Sequence, residues 1–179
     1  PGHRDAPVAS VAHRWRMLQL ACAADARLVP DDREIRRAQR LARPSWTVET
    51  LEEIRGELPG EPLVWVIGSD AYRGLMTWHR WTEVLALTHL VVLRRPGAPL
   101  ELPEALATLT AERRVAALPD LPAGNVLVLD LPMRPVSSTA VRAALAAGAP
   151  TGDLLPADVS TYITDHHLYG ARSDPGSIT

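Results

Sequence analysis

The chain has 179 residues, of which 46% are hydrophobic and 22% charged, so it is long and apolar enough for one globular domain. Its formal net charge of -2 excludes a global field that would attract nucleic acid or an anionic membrane, so we expect neither as a partner and any phosphate site must be local. The only cysteine, Cys22, excludes an internal disulfide, and the lack of lysine excludes a P-loop or Schiff-base lysine.

Helical periodicity dominates the first third of the chain. A helix is predicted over 8–26, with an apolar face formed by residues at helical spacing: Val11, Trp15, Leu18 and Cys22. A short strand is predicted at 26–29 and a second helix at 45–57.

The remaining sequence alternates apolar runs with helical patterns. The runs at 63–67, 89–93 and 126–129 are typical of strands buried on both faces. Helices are predicted at 82–87, 100–117, 138–147 and 156–166. This alternation predicts an α/β fold, a Rossmann-like doubly wound parallel sheet, in one domain over 1–170 with a flexible tail at 171–179. Ligands of such sheets bind beyond the carboxyl ends of the strands.

A hydroxyl-rich helix start follows the third run. Ser137, Ser138 and Thr139 offer hydroxyls beside free backbone N–H groups, and Arg142 lies in the first turn, where the helix dipole disfavours a cation unless an anion also binds there. Together these groups are typical of a phosphate site. The alternative is that one hydroxyl only caps the helix.

Other candidate residues follow the first two runs. Gly68 permits close backbone approach, and Asp70 could accept hydrogen bonds from a ribose or cap the next helix. Trp78 is the candidate platform for an electron-poor ring such as a pyridinium, whereas Trp81 is expected to pack inward. Arg94 and Arg95 follow the second run, where one of them could neutralise a phosphate.

Taken together, these segments resemble the bacterial nicotinate-nucleotide adenylyltransferases. The resemblance runs from Pro1 to about Gly170. Its main markers, in order, are Pro1-Gly2-His3-Arg4, His13-Arg14-Trp15-Arg16-Met17-Leu18, Arg43-Pro44-Ser45-Trp46-Thr47, Ile67-Gly68-Ser69-Asp70, Thr77-Trp78-His79-Arg80-Trp81, Arg94-Arg95-Pro96-Gly97 and Val136-Ser137-Ser138-Thr139-Ala140-Val141-Arg142. Each is weak alone, and the ordered set is specific.

The resemblance implies a nucleotidyltransferase-type fold and a role for each residue. Trp78 would stack on the nicotinate ring, Thr47 and the backbone of His79 would hold its carboxylate, and Arg4 would lie near the mononucleotide phosphate. Gly68 and Asp70 would contact the nucleoside part of ATP. The ATP phosphates would be bound by Arg95, Ser137, Ser138, Thr139 and Arg142.

The chain departs from the family pattern at its start. The family opens with a central strand and a Gly-rich Phe-Asp-Pro-x-His-x-Gly-His loop that carries the catalytic histidines, and neither follows Pro1. We therefore expect the chain to be incomplete at its N-terminus, with its catalytic residues upstream. Because the lost strand would leave its neighbours unpaired, stable folding of the chain by itself is not expected.

The implied reaction transfers AMP from ATP to nicotinate mononucleotide, in NAD biosynthesis, with Mg²⁺ on the ATP phosphates and no protein metal ligand. An alternative is another adenylyltransferase of this fold, such as the phosphopantetheine type, although a pantetheine arm needs no ring platform. A second alternative is an inactive nucleotide-binding module. We expect a cytoplasmic location, since neither a membrane span nor a signal peptide is visible, and a homo-oligomer is possible.

Overall fold

Four parallel strands form a sheet in the computed structural model, which describes residues 9–94, 99–132 and 136–171. In chain order the strands are β1 (Val64–Gly68), β2 (His89–Arg94), β3 (Arg114–Val115) and β4 (Val126–Asp130). They lie in the order β1-β2-β4-β3, and each neighbouring pair is parallel. Helices alternate with the strands, so the predicted α/β fold with a parallel sheet is confirmed.

Eight α-helices occur in the described parts of the chain. They are α1 (Val11–Cys22), α2 (Arg33–Leu41), α3 (Thr47–Glu57), α4 (Ser69–Arg73), α5 (Trp81–Leu87), α6 (Glu104–Arg113), α7 (Ser138–Ala146) and α8 (Ala157–Asp165). Short 3-10 turns occupy Leu75–Thr77, Gly152–Leu154 and Leu168–Gly170. The helix predicted over 100–117 is shorter than expected, because its last residues instead form β3 and pair with β4.

The described residues group into two compact units, one formed by 37–94 and 99–132 and the other by 9–36 and 136–171. The first unit holds the sheet, and the second holds α1, α7 and α8. One domain over 1–170 stays a prediction, and the tail predicted after Gly170 lies, from residue 172 onward, outside the described residues.

The core of the first unit forms where helices cover the sheet. Leu51 of α3 and Leu106 of α6 are fully buried together with Leu90 and Val92 of β2. Strand β2 lies between β1 and β4 and is buried over its first four residues, as its continuous apolar run predicts.

Strand β1 was predicted to be buried on both faces, and this prediction is wrong. Ile67 is buried, but the side chains of Val64 and Val66 are 39% and 59% exposed. Successive side chains of a strand point to opposite faces, so Ile67 faces the core while Val64 and Val66 face the other way. The described residues of the first unit cover only one face of β1.

Helix α1 buries a different face from the one predicted. Val11 and Leu18 are exposed, whereas Met17 and Leu20 pack against a cluster of apolar side chains from α7 and α8. His13 joins this face, because its Nδ1 lies 2.9 Å from the Tyr162 hydroxyl. The packed face of α1 therefore contains the polar His13 and differs from the face that apolar spacing alone predicts.

The strand predicted at 26–29 is wrong, since these residues form a turn and an extended loop. Asp25 accounts for this: its carboxylate accepts a hydrogen bond from the Arg27 N–H at 3.0 Å, and its carbonyl accepts one from the Leu28 N–H at 2.9 Å. These local bonds replace those of a sheet.

Helix α2 has no counterpart among the predicted elements. It contains few apolar residues, and its anchor is the buried Arg37. The Arg37 guanidinium donates to the Thr50 hydroxyl at 2.9 Å and pairs with Glu53 at 2.7 Å. Three apolar residues of α2, Ile35, Ala38 and Leu41, do lie three apart, but they stand among charged side chains and this short pattern was not recognised as a helix.

His89 ties the start of β2 to the loop before β4. It is fully buried, with Nε2 2.7 Å from the Leu121 carbonyl oxygen and Nδ1 3.1 Å from the Asn125 backbone nitrogen. Because the Asn125 N–H donates to Nδ1, the ring hydrogen lies on Nε2, from which it can be donated to the Leu121 carbonyl.

Tyr72 provides a test of a buried polar contact. Its hydroxyl lies 2.7 Å from Thr110 Oγ1, which donates to the Leu106 carbonyl. We expect Tyr72→Phe to lower the free energy of unfolding at neutral pH by about 1 kcal/mol, because one buried hydrogen bond is lost. Urea unfolding of both proteins measures the difference.

The same substitution should change the alkaline limb of the stability profile. Burial raises the pKa of Tyr72, with the Thr110 bond opposing it. The folded state therefore favours the neutral phenol, and this stability is full below the unfolded pKa of about 10 and is lost as pH rises through the folded value. Above pH ~10 the deficit of Tyr72→Phe should shrink. A deficit independent of pH would contradict the prediction.

Candidate active site

Several candidate residues of the first unit lie at the carboxyl ends of its strands. In the parallel register Gly68 lies beside Leu93, and Arg94 lies beside Asp130. Gly68, Arg94 and Asp130 therefore follow one edge of the sheet, the edge at which parallel sheets bind ligands.

Gly68 and Asp70 stand where β1 passes into α4. A Cβ built on Gly68 would meet no atom of the described residues within 4 Å, so the space before this residue is open. Asp70 is exposed in the first turn of α4, and Gly68 itself is the N-cap. The alternative in which Asp70 caps this helix is therefore wrong.

This open space makes Gly68→Ala informative. Gly68 has φ -74°, which alanine adopts without strain, so we expect the free energy of unfolding to change by less than ~0.5 kcal/mol. If a nucleoside approaches the backbone here, the added methyl group should raise the ATP KM about tenfold. Gly56→Ala, at another uncrowded glycine in α3, is the control that should leave KM unchanged. An unaltered ATP KM in Gly68→Ala would remove Gly68 from the site.

Thr47 and His79 lie on segments that meet. Thr47 is the first residue of α3, and the preceding Trp46 places its indole against the His79 imidazole, with ring centroids 5.2 Å apart and planes inclined by 32°. Thr47 is half-buried and His79 is exposed. The structure thus brings together two segments that the sequence analysis selected for one carboxylate.

Trp78 and Trp81 flank this turn. Trp78 ends the 3-10 turn Leu75–Thr77, and its backbone N–H donates to the Leu75 carbonyl at 2.9 Å. Trp81 begins α5. Both indoles are half-buried and pack against the same core cluster, so Trp78 is more enclosed than a free surface platform.

Arg80 fastens the turn to both neighbouring helices. It pairs with Glu52 of α3 at 2.7 Å and with Glu83 of α5. These partners raise the pKa of Arg80, and the Arg80 guanidinium in turn holds the pKa of Glu83 below its usual range. The backbone of Arg80 is left-handed, with φ 51° and ψ 39°, an uncommon conformation for a residue with a side chain.

Of the two arginines after β2, Arg94 is described and Arg95 lies outside the described residues. The Arg94 guanidinium contacts Asp130 with two nitrogens, at 2.5 and 2.7 Å. These hydrogen bonds hold the pKa of Asp130 below its usual range. Arg94 is thus engaged by a carboxylate of the neighbouring strand.

In the second unit, Ser137 caps α7. Its hydroxyl oxygen accepts a hydrogen bond from the Ala140 N–H at 3.1 Å, which is the capping alternative left open above. The side chains of Ser138, Thr139 and Arg142 are exposed at the start of the helix. Arg4 lies outside the described residues.

Comparisons with known proteins identify the family. A family model described as cytidylyltransferase-like matches residues 1–144. A protein named probable nicotinate-nucleotide adenylyltransferase from Stenotrophomonas maltophilia is 45% identical over 177 residues, which cover 94% of this chain and 79% of the relative. One of the same name from Xylella fastidiosa is 44% identical, with 95% and 79% covered. The chain belongs to the nicotinate-nucleotide adenylyltransferase family.

A solved member of this adenylyltransferase fold is also similar to the chain. It is the Plasmodium falciparum nicotinic acid mononucleotide adenylyltransferase complexed with NaAD, with a TM-score of 0.61 and 13% identity, covering 93% of this chain and 78% of the other. At that identity the similarity supports the fold, and the nucleotidyltransferase type expected from the sequence is confirmed.

Within the described ranges, no three His, Cys, Asp or Glu side chains group in a way that could hold a metal ion. Nor is any helix of those ranges both long and apolar enough to cross a membrane.

Two features of the turn that follows Trp78 were missed by the sequence analysis. Trp46 was noted only as part of a family marker, and Arg80 with its two glutamates was not selected. The Glu83 contact had a local signal, since residues three apart on a helix meet. The contacts to Trp46 and Glu52 join distant parts of the chain and left no signal in the spacing.

Proposed function

We propose that the chain transfers AMP from ATP to nicotinate mononucleotide, forming nicotinate adenine dinucleotide and pyrophosphate in NAD biosynthesis. The observation that carries this proposal is the contact that joins the Trp46-Thr47 segment to the Trp78-His79 turn. The two segments contain an indole, a hydroxyl and backbone N–H groups, residue types that suit a flat ring bearing an acceptor-only carboxylate.

The reaction needs no covalent enzyme intermediate. A phosphate oxygen of nicotinate mononucleotide attacks the α-phosphorus of ATP, and a new P–O bond forms as the bond to the bridging oxygen breaks. Pyrophosphate leaves with that oxygen. The protein orients two anions and offsets their repulsion. Mg²⁺, bound to the ATP phosphates, would supply further charge neutralisation.

Each proposed residue has one part in this scheme. Trp78 stacks on the nicotinate ring, Thr47 and the His79 backbone bind its carboxylate, and Arg4 binds the mononucleotide phosphate. Gly68 and Asp70 contact the nucleoside of ATP. The ATP phosphates are bound by Arg95, Ser137, Ser138, Thr139 and Arg142. The exposed side chains of Asp70 and Arg142 and the open space before Gly68 support these assignments.

Acceptor specificity tests the proposal. The purified protein is incubated with ATP, Mg²⁺ and one acceptor at a time: nicotinate mononucleotide, its amide analogue or phosphopantetheine. We expect nicotinate adenine dinucleotide and pyrophosphate in equal amounts, and the highest kcat/KM with the acid, because a carboxylate is charged and accepts at both oxygens, whereas an amide accepts at one. Preferential use of phosphopantetheine would overturn the proposal, and ATP binding without any transfer would favour an inactive nucleotide-binding module.

A cytoplasmic location and a possible homo-oligomer accompany this proposal as predictions. The biosynthetic reaction and the single cysteine, Cys22, which is free, support a reducing compartment. Sedimentation of the purified protein measures its oligomeric state.

A further inference from the structure

The contact between Trp46 and His79 joins the two segments proposed to bind the nicotinate carboxylate. Trp46 immediately precedes Thr47, and His79 immediately follows Trp78. The two rings lie close enough to attract each other, with centroids 5.2 Å apart. The Trp46 indole therefore contacts the side chain of His79, the residue whose backbone N–H is proposed to donate to the carboxylate.

The Trp46 side of this contact is fixed by α3. The Trp46 N–H donates to a Glu49 carboxylate oxygen at 3.2 Å, which anchors Trp46 to the first turn of the helix. Arg43 binds the same carboxylate and holds the pKa of Glu49 below its usual range, so Glu49 stays charged. The indole thus projects from a restrained backbone.

The His79 side is fixed one residue later. Arg80 adopts a left-handed conformation and pairs with Glu52, further along α3, and with Glu83. The turn is therefore held to α3 at two points, a ring contact at His79 and an ion pair at Arg80. Of these two, only the ring contact reaches the start of α3, where Thr47 lies.

Two polar donors lie at these points, the His79 backbone N–H and the Thr47 hydroxyl. Within the described residues, neither the His79 backbone N–H nor the Thr47 hydroxyl makes a hydrogen bond. Both lie in exposed or half-buried positions where a ligand could accept from them. Their relative orientation depends on how the turn lies against α3.

We propose that Trp46 is a positioning residue. Through its contact with the His79 ring it fixes where the His79 backbone N–H lies relative to the Thr47 hydroxyl, and so sets the preference for a pyridine carboxylate over a carboxamide. This inference rests on the proposed function. A carboxylate carries a full negative charge and accepts from both groups at once, whereas a carboxamide has one acceptor, and its NH₂ can pair only with the Thr47 hydroxyl acting as an acceptor. If the turn shifts, the two donors no longer meet one carboxylate, and the acid loses more affinity than the amide.

Substitution of either ring tests this role. We expect Trp46→Ala to raise the KM for nicotinate mononucleotide about fivefold, with kcat and the ATP KM within twofold, because one aromatic contact is lost. The acid-to-amide ratio of kcat/KM should fall by a similar factor. His79→Ala keeps the backbone donor and removes the other ring, so it should reproduce the effect, and the double variant should be no worse than either single one.

Two further variants separate positioning from general destabilisation. Trp46→Phe retains a ring and should restore most of the acid preference, even if it lowers thermal stability. His166→Ala is the control, because it removes an exposed imidazole that also contacts an aromatic ring. The His166 and Tyr162 ring centroids lie 4.2 Å apart in the second unit. This variant should leave the kinetics with the acid and with the amide unchanged. Thermal unfolding of each variant shows whether it folds.

The outcomes also separate this inference from the proposed function. A wild-type protein that prefers the acid, with Trp46→Ala and His79→Ala unchanged in that preference, overturns the positioning role alone. Effects of the two substitutions that multiply in the double variant overturn it as well. A wild-type protein that uses neither pyridine mononucleotide overturns both proposals.

Discussion

Replacing Trp78 by alanine is expected to raise the KM for nicotinate mononucleotide roughly 5- to 150-fold while changing the ATP KM less than twofold. A ring stacked on an aromatic side chain contributes about 1–3 kcal/mol, and every 1.4 kcal/mol is about a tenfold change in affinity. Steady-state kinetics with each substrate varied in turn measure the effect. Equal effects on both KM values would refute stacking.

Trp78 also packs against the core, so its removal is expected to lower stability. Trp78→Leu keeps apolar volume without a flat ring and should show the KM effect with less destabilisation. Trp65→Leu is the matched control, because Trp65 packs against the same cluster from β1. It should lower stability without altering the KM for nicotinate mononucleotide.

Replacing Arg142 by alanine is expected to weaken ATP use. A hydrogen bond between a guanidinium and a phosphate contributes about 1.5–3 kcal/mol, so the ATP KM should rise roughly 10- to 150-fold. The fold should tolerate the change, because Arg142 is exposed and alanine favours helix. ATP-dependent initial rates at fixed nicotinate mononucleotide provide the measurement.

Two variants sharpen the Arg142 test. Arg142→Lys keeps the charge without the forked donors and should recover only part of the ATP affinity. Arg113→Ala removes an exposed arginine from the last turn of α6 and should leave the ATP KM unchanged. If Arg142→Ala and Arg113→Ala behave alike, Arg142 does not bind the triphosphate.

Continuous apolar runs made most of the sheet predictable. Strands β2 and β4 were expected within one residue of their ends, and the start of α7 at Ser138 was correct. The strands were recognised by their continuous apolar runs, and the start of α7 by its capping hydroxyl residues, so in both cases the signal lies in neighbouring residues of the sequence.

Elements held by polar contacts were not predictable in the same way. Helix α2, which is anchored by the buried Arg37, was not predicted, and the packed face of α1 was predicted wrongly because it includes the polar His13. The exposed side chains of Val64 and Val66 show a related limit, because an apolar run reports what residues could be buried but not which neighbours cover them.

In the candidate site too, local motifs were predictable and contacts between distant segments were not. Its residue types could be selected from motifs at the carboxyl ends of strands, since these ends share one edge of a parallel sheet. The contacts of Trp46 with His79 and of Arg80 with Glu52 span about thirty residues of sequence, and no local pattern encodes such pairs.

The pairing of Arg94 with Asp130 affects how an anion can use this edge of the sheet. The Asp130 carboxylate occupies Nε and one terminal nitrogen of Arg94, so a phosphate at this edge meets a guanidinium that already binds one negative partner and must use its remaining N–H groups or compete with Asp130. Since the pKa of Asp130 is held low, acidification within the physiological range does not release Arg94. The ion pair with Asp130 therefore lowers the affinity of Arg94 for other anions at this edge of the sheet.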